Sequence, residues 1–145
     1  MDIATTRFGT VTIEPDDVLT FVDGLIGMED CQRWALLADA QNGALGWLQS
    51  VDRSDVALAV VSPRRFVADY RVRVTRRDVE SLGLPSANDA QVLVIVNRLG
   101  DSLALNLKAP LVVHVAGRAG RQIVAKDDHP VQHVVGGAKR FRRTA

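Results

Sequence analysis

Turn signals punctuate this sequence so closely that almost no stretch between them has room for a helix, and this constrains the fold more than any other feature. Pro15-Asp16-Asp17, Asp52-Arg53-Ser54-Asp55, Pro85-Ser86-Ala87-Asn88-Asp89, Arg98-Leu99-Gly100-Asp101 and Gly117-Arg118-Ala119-Gly120 separate short apolar runs. Their spacing of roughly 8–12 residues is that of a β sandwich or barrel. Thr10 to Glu14 alternates apolar and polar residues, as a half-buried strand does. Val18 to Phe21, Trp34 to Leu37, Leu45 to Val51 and Val56 to Val61 follow as strands. Tyr70 to Thr75 alternates cleanly, which predicts a strand with Arg71 and Arg73 turned to water. Val92 to Val96 is apolar throughout and reads as buried on both faces. Leu103, Leu105 and Leu107 alternate with polar or small residues. Leu111 to Val115 and Gln122 to Ala125 make a last pair across a glycine-bearing turn, whose glycines supply positive φ angles. One short helix is expected: Thr75 caps it, Asp78 stands three residues on, and Gly83 closes it. No other connection has room for the crossover that parallel βαβ units need.

The fold class is therefore mainly β, a compact antiparallel β barrel or sandwich with one short helix. Residues 1–126 form a single β domain. After Asp127-Asp128 the pattern decays, and 127–145 reads as a loose C-terminal segment with a basic tail. A chain of 145 residues with 47% hydrophobic and 24% charged residues has the composition of a globular domain. Four of its 18 basic residues (Lys139, Arg140, Arg142 and Arg143) lie in the last seven positions. The remainder carries 14 basic against 17 acidic groups, a net charge of −3.

Cys31 is the only cysteine, which excludes an internal disulfide and a Cys-rich zinc site. Met1-Asp2-Ile3 does not open a signal peptide, and no apolar run approaches the roughly 20 residues of a membrane span. A cytoplasmic protein with no membrane partner is expected.

The usual catalytic constellations are missing. His129 and His133 are four apart but flank Pro130, and His114 lies on a strand, so surface or hydrogen-bonded histidines fit better than a metal site. Neither a G-x-S-x-G turn nor a phosphate-binding glycine loop occurs. These readings point to a protein that is not an enzyme and takes no cofactor or metal. Lys139-Arg140-Phe141-Arg142-Arg143 places an aromatic among cations, which suits RNA phosphates and base stacking, yet is equally the composition of a solubilising tail. The segment Asp23-Gly24-Leu25-Ile26-Gly27-Met28-Glu29-Asp30 is less ordinary. A loop this apolar either tucks into its own domain or meets a partner.

At this loop the sequence resembles the FliW family of bacterial flagellar assembly factors. Phe21 to Glu29 is similar to the family's F-x-x-G-[IL]-x-G-[FM]-E segment, and Phe8-Gly9 to its opening F-G. Trp47-Leu48-Gln49-Ser50 resembles its W-L-Q-S strand. Leu58 to Pro63, with Tyr70 beyond, resembles L-A-F-x-V-x-P and a later tyrosine. Asn106-Leu107-Lys108-Ala109-Pro110-Leu111 is similar to the N-L-x-A-P-[IL] signature, and Gln122-Ile123-Val124 to the Q-V-[IV] strand that follows. The sequence departs from the family pattern at His129-Pro130, where an aromatic-Pro pair is common. It also departs in its net charge of +1, since many members are distinctly acidic.

The resemblance implies a compact antiparallel β barrel that binds flagellin and the RNA-binding translational regulator CsrA. While flagellin occupies the protein, CsrA represses flagellin mRNA; once flagellin is exported, CsrA is captured and synthesis resumes. Such a switch needs comparable affinities, because about 1.4 kcal/mol changes preference tenfold. The expected partner contacts are Asp23 and Glu29 on the apolar loop, Gln49 on its strand, and Asn106 with Lys108 on the face opposite Leu105 and Leu107. A monomer when free, with no direct nucleic-acid partner, completes this reading. The rival is a generic protein- or RNA-binding β module that uses the basic tail.

Overall fold

The computed structural model describes residues 1–137, and eleven strands lie within them. β1 (Asp2–Thr5) and β2 (Gly9–Thr12) form a separate antiparallel hairpin. β3 (Val18–Thr20), β4 (Arg33–Ala38), β5 (Leu45–Ser50), β6 (Ala57–Val61) and β7 (Gln91–Leu99) follow as an antiparallel meander. β8 (Ser102–Leu105), β9 (Leu111–His114), β10 (Ala119–Gln122) and β11 (His133–Gly137) complete the set. β7 pairs with β9 as well as β6, and β10 pairs with both β9 and β3. The ring β7-β6-β5-β4-β3-β10-β9 thus closes into a seven-stranded barrel.

An odd ring cannot alternate strand direction all the way round, so one neighbouring pair must be parallel. That pair is β3–β10, joined at Thr20 and Ala119, and it is the one departure from the expected antiparallel order.

β7 serves two cores through its period of two. Leu93 and Ile95 point into the barrel, among Phe21, Leu25, Trp34, Leu48, Val60 and Leu111. Val92, Val94 and Val96 face a second cluster that contains Val61, Tyr70, Leu105 and Leu107. This accounts for the unbroken apolar run read from the sequence, although only Val94 is fully buried. The β1–β2 hairpin covers the outer face of β4 through Ile3, Ile13 and Ala35.

The helix forms as expected. Thr75 Oγ1 accepts from the Asp78 amide at 3.1 Å, and Asp78 Oδ2 accepts from the Thr75 amide at 2.9 Å. These bonds to Thr75, then the nearby cations Arg121 and Lys126, hold the Asp78 carboxyl below its ordinary pKa. α1 (Arg76–Val79) tightens into a 3-10 turn over Glu80–Leu82 and ends at Gly83, with φ 64°.

Three expectations about elements are corrected. Residues 70–75 form no ladder. The β9–β10 turn is Val115–Arg118, so β10 starts at Ala119, and Arg118 rather than a glycine takes the left-handed conformation, at φ 53°. Gly117 and Gly120 are there for space: a Cβ at Gly117 would sit 2.6 Å from His114 Nδ1, and one at Gly120 only 2.4 Å from the Phe21 ring. The loose segment expected from residue 127 is the third correction. His133–Gly137 pairs with β8, and Val135 packs into the second core. A bulge between Val134 and Gly136 breaks its period of two and hides the strand from pattern reading. Lys139, Arg140, Arg142 and Arg143 lie outside the described residues.

Because Phe21 is fully buried, it has nowhere to retreat. Gly120→Ala is expected to cost about 1–3 kcal/mol through overpacking, read from urea denaturation midpoints. A variant as stable as the parent would refute this account of Gly120.

Candidate partner-binding surface

The loop that follows β3 is a plug for the barrel. Its base is clamped where the Phe21 amide donates to Gln32 O at 2.7 Å and Gln32 Nε2 donates to Val22 O at 2.7 Å. Midway, the Met28 amide donates to Leu25 O at 2.8 Å, and the Leu25 amide returns a longer bond to Met28 O at 3.3 Å. Gly24 takes φ 66°, and a Cβ there would fall 2.5 Å from the Glu29 Cα, so only glycine allows the chain to fold back this tightly. Leu25 and Cys31 are buried inside the barrel, where the Trp34 indole N–H donates to Cys31 O at 2.9 Å.

The two readings of this apolar loop are thus divided between its residues. Leu25 and, in part, Met28 turn inward, whereas Val22 and Ile26 remain 66% and 60% exposed. Asp23 and Glu29 stand on the same outer rim. Asp23 Oδ2 lies 3.6 Å from Arg121 Nε, and Glu29 Oε1 accepts from the Gly27 amide at 3.2 Å.

Gln122 joins this loop to the next. Its Oε1 accepts from the Ile26 amide at 2.7 Å, and its Nε2 donates to Ala109 O at 3.1 Å. Residues 106–110 are themselves well tied. Asn106 Oδ1 accepts from the Ala109 amide, three residues on, at 3.0 Å and holds the turn ahead of Pro110. Lys108 Nζ donates to Asp127 O at 2.9 Å, and the Ala125 amide donates to Lys108 O at 2.7 Å. Tyr70 reaches the same place, donating its hydroxyl to Leu107 O at 2.6 Å. Burial, with the Asp127 charge adding to it, pushes the Tyr70 phenol up to about 12, so it stays a donor at physiological pH.

Of the five residues expected as partner contacts, Asp23 and Glu29 are exposed on one loop. Asn106 and Lys108 are opposite the buried Leu105 and Leu107 in the alternation, but both are half-buried and engaged within the fold. The expectation that they stand exposed is corrected: Asn106 holds its own turn and Lys108 is bonded to Asp127 O. Gln49 is 0% exposed and sits apart from this surface. It lies between Ala35 and Ala57 in the register, on the face that the β1–β2 hairpin covers. Its Nε2 donates to Ser50 O at 3.0 Å and reaches Arg53 O and Ser54 O at 3.4 and 3.3 Å, so it holds the β5–β6 loop instead.

Sequence reasoning named Ile26 only as part of the loop and Gln122 and Val124 only as part of a strand, and gave Arg121 no role. Gln122 reads only as a strand residue until the Ile26 amide, 96 positions earlier, is seen to bond it. Among the described residues, no group of three or more His, Cys, Asp or Glu side chains converges to hold a metal ion. His114 and His129 instead contact the carbonyls of Leu82 at 2.9 Å and Arg71 at 2.6 Å. The loop thus presents the exposed apolar side chains of Val22 and Ile26 beside the carboxylates of Asp23 and Glu29 on a hydrogen-bonded backbone.

Gln122→Ala removes the bridge between the two loops. It is expected to cost about 1 kcal/mol and to speed hydrogen exchange at the Ile26 amide severalfold. Unchanged exchange would show that the loop holds its shape unaided.

The protein-family model described as FliW protein matches residues 2–135. The flagellar assembly factor FliW of Bdellovibrio bacteriovorus is 37% identical over 131 residues, spanning 89% of this chain and 75% of the relative. That of Syntrophotalea carbinolica is 35% identical over 130 residues, spanning 88% and 93%. A crystal structure of the flagellar assembly factor FliW superimposes with a TM-score of 0.86 over 96% of this chain and 99% of that one; its 24% identity makes it a likeness of fold.

Proposed function

The chain belongs to the FliW family of flagellar assembly factors, and from that membership we propose that it binds flagellin and CsrA in turn, relieving the repression of flagellin mRNA by CsrA. The observation that carries this reading to particular residues is the plug loop. Val22, Asp23, Ile26 and Glu29 project from a backbone that is hydrogen-bonded at its base, its middle and across to Gln122. A loop so held is pre-organised, so little conformational freedom is lost when a partner docks. The exposed Val22 and Ile26 supply apolar area, and Asp23 and Glu29 supply charge that selects among partners.

The protein acts in this scheme by binding and not by catalysis. It works in the cytoplasm, as a monomer when free. Two partners that share one rim exclude each other, and release of flagellin then makes the rim available to CsrA.

Titration calorimetry with CsrA, with flagellin, and with both in competition tests the proposal. Tight and mutually exclusive binding is expected. Failure to bind either protein would leave the family and remove the switch. Glu29→Arg reverses a charge on the rim without touching the core, so CsrA binding should weaken at least about tenfold, or 1.4 kcal/mol, at an unchanged melting temperature. A folded variant with full affinity would rule this loop out as the CsrA contact.

A further inference from the structure

Residues 70–75 have the pattern of a strand and no strand beside them. They run without a turn or bend, yet belong to neither sheet. One side of this segment is satisfied by side chains. Asp127 Oδ1 accepts from the Arg73 amide at 3.0 Å, and His129 Nε2 contacts Arg71 O at 2.6 Å. In extended backbone, successive residues point their N–H and C=O groups to opposite sides. The groups of Arg71 and Arg73 face 127–129, so those of Val72 and Val74 face the other way, and none of them has a partner among the described residues.

The side chains divide as well. Tyr70 and Val72 pack into the core, Arg71 and Arg73 stand in water, and Val74 is 40% exposed. Arg64, Arg65, Arg76 and Arg77 flank the segment, all exposed; Arg64 Nε donates to Tyr70 O at 3.2 Å, so the open part of the edge begins at Val72. Of the arginines named here, Arg73 has an ion pair among the described residues, 3.8 Å from Asp127. The acids close in sequence are Asp69, Asp78 and Glu80, and Asp78 is committed to the helix cap.

We propose that residues 70–75 are a docking edge that accepts one added strand from a protein partner with carboxylates at alternate positions. The open N–H and C=O groups of Val72 and Val74 supply the backbone bonds, as in other strand-addition complexes. Arg71 and Arg73, two residues apart on one face, meet acidic side chains at the same repeat. The neighbouring positions of the added strand face Val74, which suits an apolar side chain. An RNA strand is the weaker fit: Tyr70 is buried, leaving no ring on this segment for a base to stack upon. This edge uses none of the residues of the rim, and Arg121 lies between the two, 3.6 Å from Asp23 Oδ2 and donating to Arg77 O and Asp78 O.

A labelled peptide of alternating glutamate and valine, with an alternating lysine and valine peptide as control, tests the proposal. The acidic peptide should bind, more weakly as salt rises, and should slow hydrogen exchange at the Val72 and Val74 amides. Arg71→Ala with Arg73→Ala should weaken it at least tenfold, and Val74→Pro, which removes an edge N–H, should do the same. Glu29→Arg should leave this binding unchanged. The proposal is overturned by no binding, by equal binding of the lysine peptide, or by binding that leaves both amides exchanging freely. Tighter binding of a single-stranded RNA, insensitive to Val74→Pro, overturns it too.

Discussion

The contact between Phe21 and Gly120 is the constraint on which the rest of the structure depends. A ring of seven strands must contain one parallel pair, and here that pair meets at a single register position, Thr20 with Ala119. So short a seam has little ladder of its own to hold it. The Phe21 ring lies across the backbone at Gly120, where a Cβ would be only 2.4 Å away, and it fills the interior next to the seam. Aromatic burial in effect closes a barrel that hydrogen bonds alone would leave nearly open.

From that closure the outer surface follows. The chain leaves Phe21 directly into the plug, so Leu25 and Cys31 line the same interior that Phe21 fills. Their burial decides which neighbours stay outside. Val22, Asp23, Ile26 and Glu29 are turned outward, on a loop whose tight turn at Gly24 packs against the Glu29 backbone. The apolar content of the loop is in this way divided between stability and recognition within nine residues.

Local signals were legible wherever local physics decided the outcome. The Thr75–Asp78 cap, the alternation of Leu105 and Leu107 against Asn106 and Lys108, and the β5–β6 hairpin are read from neighbouring residues alone. Long-range contacts were not legible. Gln49 sits in an alternating strand where a polar side chain suggests solvent, but the β1–β2 hairpin, more than thirty residues away in sequence, covers that face. β11 is masked by its bulge, and residues 70–75 by the fact that their hydrogen-bond partners are side chains rather than a strand. Asp23 and Glu29 were legible as exposed acids on an apolar loop. Gln122 was not, because nothing near it in the chain predicts a bond to Ile26.

That bond has a consequence for how the protein is made. Ile26 and Gln122 are 96 residues apart, and the parallel seam joins Thr20 to Ala119 across a similar distance. Contacts this distant in the chain close late and slowly. During synthesis the amino-terminal strands are finished long before β10 exists, and until then the plug has neither its anchor nor a closed barrel beneath it. Its outer rim is consequently a property of the completed chain alone, and ribosome-bound fragments lack the surface that finished molecules present.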